Sequence, residues 1–529
     1  GGSHLECFSA SLGSIPPLPE LLSPAALSIT HDDILTIQQD AFGSAELFSI
    51  NLSFNAIQSV NANAFRGTED SLRLLRLSRN KLSELPSWSL LHLNQLDTLY
   101  LDGNRIRTLR SGLFDETQLS SLHFLYLQDN EIELIPSQCM RRLRLLVLSV
   151  AKNRIRTIEK LSLPPSLAIL DLSANLLREV PYLALQEQPS LREINLEGNR
   201  ITILEHNAEV KLQNEMKLIL RNNRISAIPP SAFNSFRKFK ELDLSYNEIV
   251  YVAPTLLCQE LNLAHNRISF IKKGSFENVG KSMEKLSLAW NNFHTLPEVM
   301  QDLRVLKHLN IEGNKLSKVD VAFFKSFAES LEELSFAYNH LSVIPLPILQ
   351  ELTHLRVLDL SKNRLESIES SFRITNLHKL LLAANGLTAI VSATFFANSP
   401  MLRHLDLSFN RIEKLGAAAF GTLPVLDMLF LQHNELREMP REALVVQGSL
   451  HTLVLDSNKI SSLPAQSTAP WPRLSRLSLH GNRISNVHKA AFSTALSLTY
   501  LDMSNNYISK KKNFHSFVAS KTAHAFDCA

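Results

Sequence analysis

One pattern, L-x-L-x-x-N-x-L, recurs along the whole chain and limits what it can fold into more than any other feature. "LRLSRNKL" (75–82), "LYLDGNRI" (99–106), "LDLSYNEI" (242–249), "LSLAWNNF" (286–293) and "LDLSFNRI" (405–412) all fit it. Its asparagines fall at Asn55, Asn80, Asn104, Asn130, Asn153, Asn175, Asn199, Asn223, Asn247, Asn266, Asn291, Asn314, Asn339, Asn363, Asn385, Asn410, Asn434, Asn458, Asn482 and Asn506, and Asp32 takes the place in "LSITHDDI" (27–34). That makes about 21 units, most of them 22–26 residues long. A unit so short cannot bury its apolar side alone, whereas a stack of units buries a continuous core. The 529 residues are therefore expected to form one long solenoid rather than several globular domains.

The L-x-L pair alternates apolar and polar, so it predicts a short strand with its leucines turned inward. The asparagine comes where the chain turns away. Its amide has two donors and an acceptor, enough to bond its own turn and the adjacent one. Repeated at Asn80, Asn104, Asn199, Asn247, Asn314, Asn363, Asn410 and Asn482 among others, such amides form a ladder that satisfies buried backbone groups. Phenylalanine stands ten residues after the ladder position at Phe42, Phe65, Phe114, Phe233, Phe276, Phe324, Phe395, Phe420 and Phe492, which predicts an aromatic spine at the back. Prolines such as Pro86, Pro136, Pro181 and Pro229 suit a back side of loops, turns and brief 3₁₀ pieces.

The repeat unit, about 24 residues with the form x-L-x-x-L-x-L-x-x-N-x-I-x-x-I-P-x-x-x-F-x-x-L, resembles the "typical" class of leucine-rich repeats of secreted and cell-surface animal proteins: Toll-type receptors, Slit-type guidance proteins and chaoptin-like adhesion proteins. "GTEDSLRLLRLSRNKLSELP" (67–86) and "SFAESLEELSFAYNHLSVIP" (326–345) look most like chaoptin-type repeats. The resemblance implies an α/β-type solenoid, a curved horseshoe of short parallel strands inside and loops outside, over residues 27–508. Residues 1–26 resemble the tail of an N-terminal cap and 509–529 a partial C-terminal repeat or truncated cap, with Cys7 and Cys528 as remnants whose partners are missing. The chain thus looks like an ectodomain fragment that is extracellular or on the cell surface. One glycosylation sequon, Asn51-Leu52-Ser53, would lie on the concave strand.

Composition narrows the function. A net charge of +3 gives no reason to propose nucleic acid or a membrane surface. No apolar run is long enough for a transmembrane helix, and no signal peptide opens the chain. Four cysteines without C-x-x-C, and 18 histidines without partner spacing, give no metal site, cofactor or catalytic constellation. Cys139 and Cys258, inside repeats, read as buried thiols. Carboxylates such as Asp243, Asp359, Asp406 and Asp502 read as ordinary polar residues on an open strand face.

What remains is binding through the open face, whose columns are the positions four, two and one before each asparagine. The last of these holds Phe54, Tyr246, His265, Trp290, Tyr338 and Phe409. Aromatic residues carry large contact area at low entropic cost, and Trp290 is read as occupying the last open position of its strand. Gly103, Ala174, Lys362 and Ser457 fill the same place elsewhere, so the coil does not need an indole. A second column, one residue after the asparagine, is basic at Lys81, Arg105, Arg154, Arg200, Arg224, Arg267, Lys315, Arg364, Arg411, Lys459 and Arg483, a flank that a polyanionic glycan could follow. The period breaks once, between Asn247 and Asn266, beside the aromatics. The function expected is a non-enzymatic ectodomain for adhesion or receptor recognition, with a protein ligand or a homophilic partner. The alternative is a secreted matrix component assembling through lateral or end contacts.

Overall fold

The computed structural model describes residues 4–9, 11–18, 25–43, 45–204, 211–252, 258–344, 349–368, 374–391, 395–396, 398–445 and 447–508. Cys528, the 509–529 segment, residues 19–24 of the N-terminal stretch and 253–257 of the short coil lie outside the described residues. The chain forms two compact units, Gly1–Asn262 and Leu263–Ala529. Each is a solenoid of one-turn coils with a parallel sheet on one side.

In the first unit the sheet runs from His4–Phe8, paired with Ala25–Thr30, to Cys258–Asn262. In the second it runs from Lys285–Ser287 to Tyr500–Asp502. The pairing keeps the repeat in phase: Leu75 faces Leu99, Leu99 faces Leu125, and Leu125 faces Leu148. Leu286, Leu309, Leu334 and Leu358 do the same in the second unit. A slip of one residue would turn the leucines out to solvent, so the buried face holds the register. Most strands are three residues long and centred on the first leucine of the motif. Leu212–Ile219 and Phe236–Asp243 run for eight, with register shifts between them.

Most ladder asparagines are buried and bonded to two coils at once. The Asn314 amide donates to Leu288 O of the preceding coil at 2.9 Å and to Ile311 O and Glu312 O of its own. Its oxygen accepts from Phe293 N–H of the preceding coil at 3.0 Å. Asn80, Asn104, Asn199 and Asn247 repeat this arrangement in the first unit. Asn363, Asn410 and Asn482 repeat it in the second. Asp32 keeps only the acceptor half, taking Leu12 N–H at 3.0 Å.

The residue before each ladder position departs from the strand. All 21 of them, from His31 to Asn505, have φ between 51° and 67°. Trp290 is therefore not the last open position of a strand. Its strand ends at Ser287, and Trp290 sits in a left-handed turn with φ 54°. The turn lets its backbone N–H point across to Glu312 O, at 2.6 Å, so pairing between coils continues past the strand.

On the back side the phenylalanines of the spine are buried. Phe42 and Phe65 stack at 5.4 Å with planes 5° apart. Burying such a ring contributes on the order of 1.5–3 kcal/mol. Trp471 is fully buried there too, its indole N–H donating to Leu444 O at 2.9 Å. The helical pieces of the back include the turn Tyr182–Leu185 and 3₁₀ segments at Glu298–Asp302 and Val321–Phe324. It also carries two-residue parallel strand pairs, such as Leu134–Ile135 with Thr157–Ile158 and Ser462–Leu463 with Asn486–Val487, so it is more regular than loops and turns alone. Cys139 and Cys258 are buried, and burial pushes both thiols up to about 12. Among the described residues no helix is long and apolar enough to cross a membrane.

Candidate functional site

The left-handed turns form an edge beside the sheet, and in the second unit aromatic side chains line it. His265 stacks on Trp290 with centroids 5.5 Å apart and planes 8° apart. Trp290 meets Tyr338 at 5.2 Å and 49°, although a whole coil lies between them. That coil has Gly313 at its turn, and a Cβ there would lie 2.4 Å from Cδ2 of Trp290. Lys362 continues the row, its Nζ 4.7 Å from the Tyr338 ring. Trp290 remains 40% exposed and Tyr338 41%.

Of the other residues read from sequence, Phe409 stands apart from this row and stacks on His433 at 4.2 Å. Tyr246 belongs to the first unit, where the Arg221 guanidinium lies 4.4 Å above its ring. A third stack, Phe8–His31–Phe54, occupies the same edge at the start of the first unit.

A left-handed turn costs a residue with a Cβ about 1–2 kcal/mol relative to glycine. Asn, Asp and Gly carry it best. Gly103, Gly198, Gly313 and Gly481 follow that preference, whereas Trp290, Tyr338, Tyr246 and Phe409 do not. Local conformation therefore gives no reason for aromatic residues at these turns. The Trp290 indole is nonetheless tied to its surroundings, since it also acts on the Glu312 carboxyl. Partial burial and the nearby Asp359 charge hold that carboxyl above the usual range, while Asn310 and the indole pull the other way.

The aspartates on the strands have a local task that the alternation pattern did not reveal. Asp359 Oδ1 accepts Ser361 N–H at 2.8 Å, Asp406 accepts Ser408 N–H at 2.9 Å, and Asp243 and Asp502 do likewise. These Asx caps satisfy the N–H two residues on, just before the left-handed turn. Asn51 does the same for Ser53 N–H at 3.1 Å, and its amide nitrogen donates to Ser28 Oγ at 3.3 Å.

Sequence reasoning also missed an aromatic pair on the strands of the first unit. Tyr100 and Tyr126 stack at 4.5 Å and 8°, with the Arg76 guanidinium 5.1 Å from Tyr100. Burial and the Tyr100 hydroxyl raise the Tyr126 phenol. The available signal was that both stand four residues before a ladder asparagine, in adjacent repeats. Farther along, Lys217 lies between Glu193 at 3.7 Å and Glu241 at 3.4 Å. Burial opposes its charge, but the two carboxylates more than offset this and hold the ammonium above the usual lysine value.

The basic flank is partly neutralised. Arg154 pairs with Glu131 at 3.2 Å and Lys459 with Glu435 at 2.6 Å. Lys81, Arg105, Arg200 and Arg224 in the first unit, and Lys315, Arg364, Arg411 and Arg483 in the second, are exposed. Among the described residues no cluster of His, Cys, Asp and Glu could hold a metal ion. The surfaces described here offer contact area, hydrogen bonds and charge.

A leucine rich repeat family model matches residues 25–82, 49–106, 143–201, 213–259, 258–316, 306–365, 375–436 and 448–508. The chain belongs to the leucine-rich-repeat family. It is 28% identical to podocan-like protein 1 of Mus musculus over 302 residues, 55% of this chain and 52% of that protein. It is 26% identical to podocan of Mus musculus over 363 residues, 64% of this chain and 52% of that protein. Osteomodulin of Rattus norvegicus is 27% identical over 279 residues, 51% of this chain and 62% of that protein. The chain thus spans between half and two thirds of the length of these relatives. In structure it is similar to a chain of the Toll–Spatzle complex of Drosophila, with a TM-score of 0.65 and 17% identity over 96% of this chain and 82% of that one. A chain of the TLR13–ssRNA13 complex gives a TM-score of 0.56 and 20% identity over 95% of this chain and 84% of that one. These two likenesses concern the fold.

Proposed function

We propose that the chain is part of an extracellular or cell-surface protein that binds a protein partner, for adhesion or receptor recognition, and performs no chemistry of its own. The observation that carries this is the row His265–Trp290–Tyr338. It places large, half-exposed aromatic rings at left-handed turns where the backbone prefers glycine or asparagine. Rigid aromatic rings of this kind anchor protein interfaces. Chaoptin-, Toll- and Slit-type proteins are the finer class that the repeats resemble. The test is a capture comparison from cell-surface extract, using the parent chain and the Trp290→Ala/Tyr338→Ala variant as baits. A partner retained by the parent and lost by the equally folded variant supports the reading. A partner retained equally by both removes the aromatic row from it.

The likeness to podocan and osteomodulin favours a second reading, a matrix component that assembles with itself through lateral or end contacts. Dilution in sizing chromatography separates the two. A discrete monomer or dimer supports recognition, and open-ended polymers support the matrix reading.

A further inference from the structure

On the flank of the first unit, four successive coils carry a run of arginines. Arg154 and Arg156 belong to the Asn153 coil, Arg178 to the next, Arg200 to the next and Arg224 to the one after. Each stands one or three residues past its ladder asparagine, and the residue between those two positions (Ile155, Leu177, Ile201, Ile225) is buried. The alternation turns both arginine positions outward, and all five side chains are exposed. The backbone holds these coils in register. Arg200 N–H donates to Leu177 O at 2.8 Å, Arg224 N–H to Ile201 O at 2.9 Å, and Thr202 N–H to Arg178 O at 3.4 Å.

The acids around this run include Glu131, which pairs with Arg154 and Arg107, Glu133 on the coil before Arg156, which pairs with Arg107, Glu179 beside Arg178, and Glu248 on the coil after Arg224. Arg156, Arg178, Arg200 and Arg224 form no ion pair with described residues. In the second unit the flank is interrupted. Lys315, Arg364 and Arg411 alternate with Asn292, His340 and Gly386.

We infer that this arginine flank is a binding site for a linear sulfated polysaccharide. Coils in a parallel sheet stand about 4.8 Å apart, so the arginines recur at every coil of a narrow strip made of the positions one and three residues past the ladder asparagine. Guanidinium is planar and pairs with sulfate or carboxylate through two parallel hydrogen bonds, which a lysine ammonium cannot do. The strip is two positions wide and bounded by acids, which matches a single polyanionic chain and opposes the two phosphate rows of a duplex. It also lacks the interleaved aromatic rings on which unpaired bases stack. The site belongs to the first unit and the Trp290 row to the second, so the two proposals stand or fall separately.

The test uses the full chain with heparin, desulfated heparin and a DNA duplex of equal length as probes. Two variants each remove three positive charges: Arg178→Ser/Arg200→Ser/Arg224→Ser in the run, and Lys315→Ser/Arg364→Ser/Arg411→Ser in the second unit. The parent and the second-unit variant are expected to bind heparin alike. The run variant is expected to bind about tenfold or more weakly, its slope of log affinity against log salt smaller by roughly two to three. Desulfated heparin is expected not to bind. Equal losses in both variants, DNA binding as tight as heparin, or no heparin binding by the parent would each overturn the inference. If the run variant does not fold, arginine-specific modification of the parent decides. Protection of Arg178, Arg200 and Arg224 by heparin supports the site, and unchanged modification overturns it.

Discussion

Gly313 lies under the indole of Trp290, and a Cβ in its place would stand 2.4 Å from Cδ2 of that ring. The glycine also has φ 66°, so it meets two demands at once: a left-handed turn and room for the neighbouring coil's side chain. Without that room the indole could not cross a coil to reach Tyr338.

Replacing Gly313 with Ala is expected to cost about 1–2 kcal/mol for the left-handed backbone, plus the displacement of the indole. In the Trp290→Ala background the second part disappears. A double-mutant cycle in urea should therefore show a coupling of about 1 kcal/mol between the two positions. Additive losses would mean that the ring is free to move aside.

Trp290→Ala by itself removes the contacts with His265 and Tyr338, but it empties no core. Its thermal stability should fall by much less than that of Leu288→Ala, whose fully buried side chain is worth roughly 2–5 kcal/mol. Binding of the principal protein partner should weaken by about 2 kcal/mol or more, the range of an interface anchor. Losses of stability as large as those of Leu288→Ala would make Trp290 a packing residue.

Asn314→Ala deletes bonds to two coils and leaves Phe293 N–H buried without its partner, while Leu288 O keeps only the Asn291 amide. The expected cost is roughly 1–3 kcal/mol. Asn292, one residue past the neighbouring ladder position, uses only its backbone N–H, toward Ile268 O, so Asn292→Ala should be nearly neutral. Chemical denaturation midpoints compare the two directly.

Glu312 carries a carboxyl raised by partial burial and by Asp359. A raised value in the folded state means that its stabilising contribution is complete below the unfolded value, about 4.3. The contribution is lost as pH rises through the folded value. Glu312→Gln keeps the shape of the side chain and removes the charge. It should therefore melt higher than the parent at pH 7, with the gap closing as pH falls below 4. A gap that widens in acid would reverse the sign.

Cys139 and Cys258 should react with a thiol reagent at pH 8 only on unfolding, because burial pushes both thiols up to about 12 and denies access. Cys7 is half-exposed and should label in the native protein. Peptide mapping after brief labelling distinguishes them, and rapid native labelling of Cys258 would contradict its burial.

The sequence by itself determined the solenoid. Leu75, Leu99 and Leu125 recur at a fixed period, a buried face admits one register, and only a stack of coils buries them. The same spacing placed Phe42 and Phe65 on a common spine. The tertiary structure decided what lies beside the strands. That the residue before every ladder asparagine is left-handed cannot be read from its identity, since Trp, Lys, Ala and Gly all occur there. The conformation is imposed because the N–H of that residue must reach the next coil. Asp359 and Asp406 look like plain surface carboxylates until the turn brings an N–H to them. Likewise Trp290 and Tyr338, 48 positions apart in sequence, meet only because the intervening coil presents a glycine. Such contacts depend on which residue the stack sets one or two coils away, and a single repeat carries no record of that.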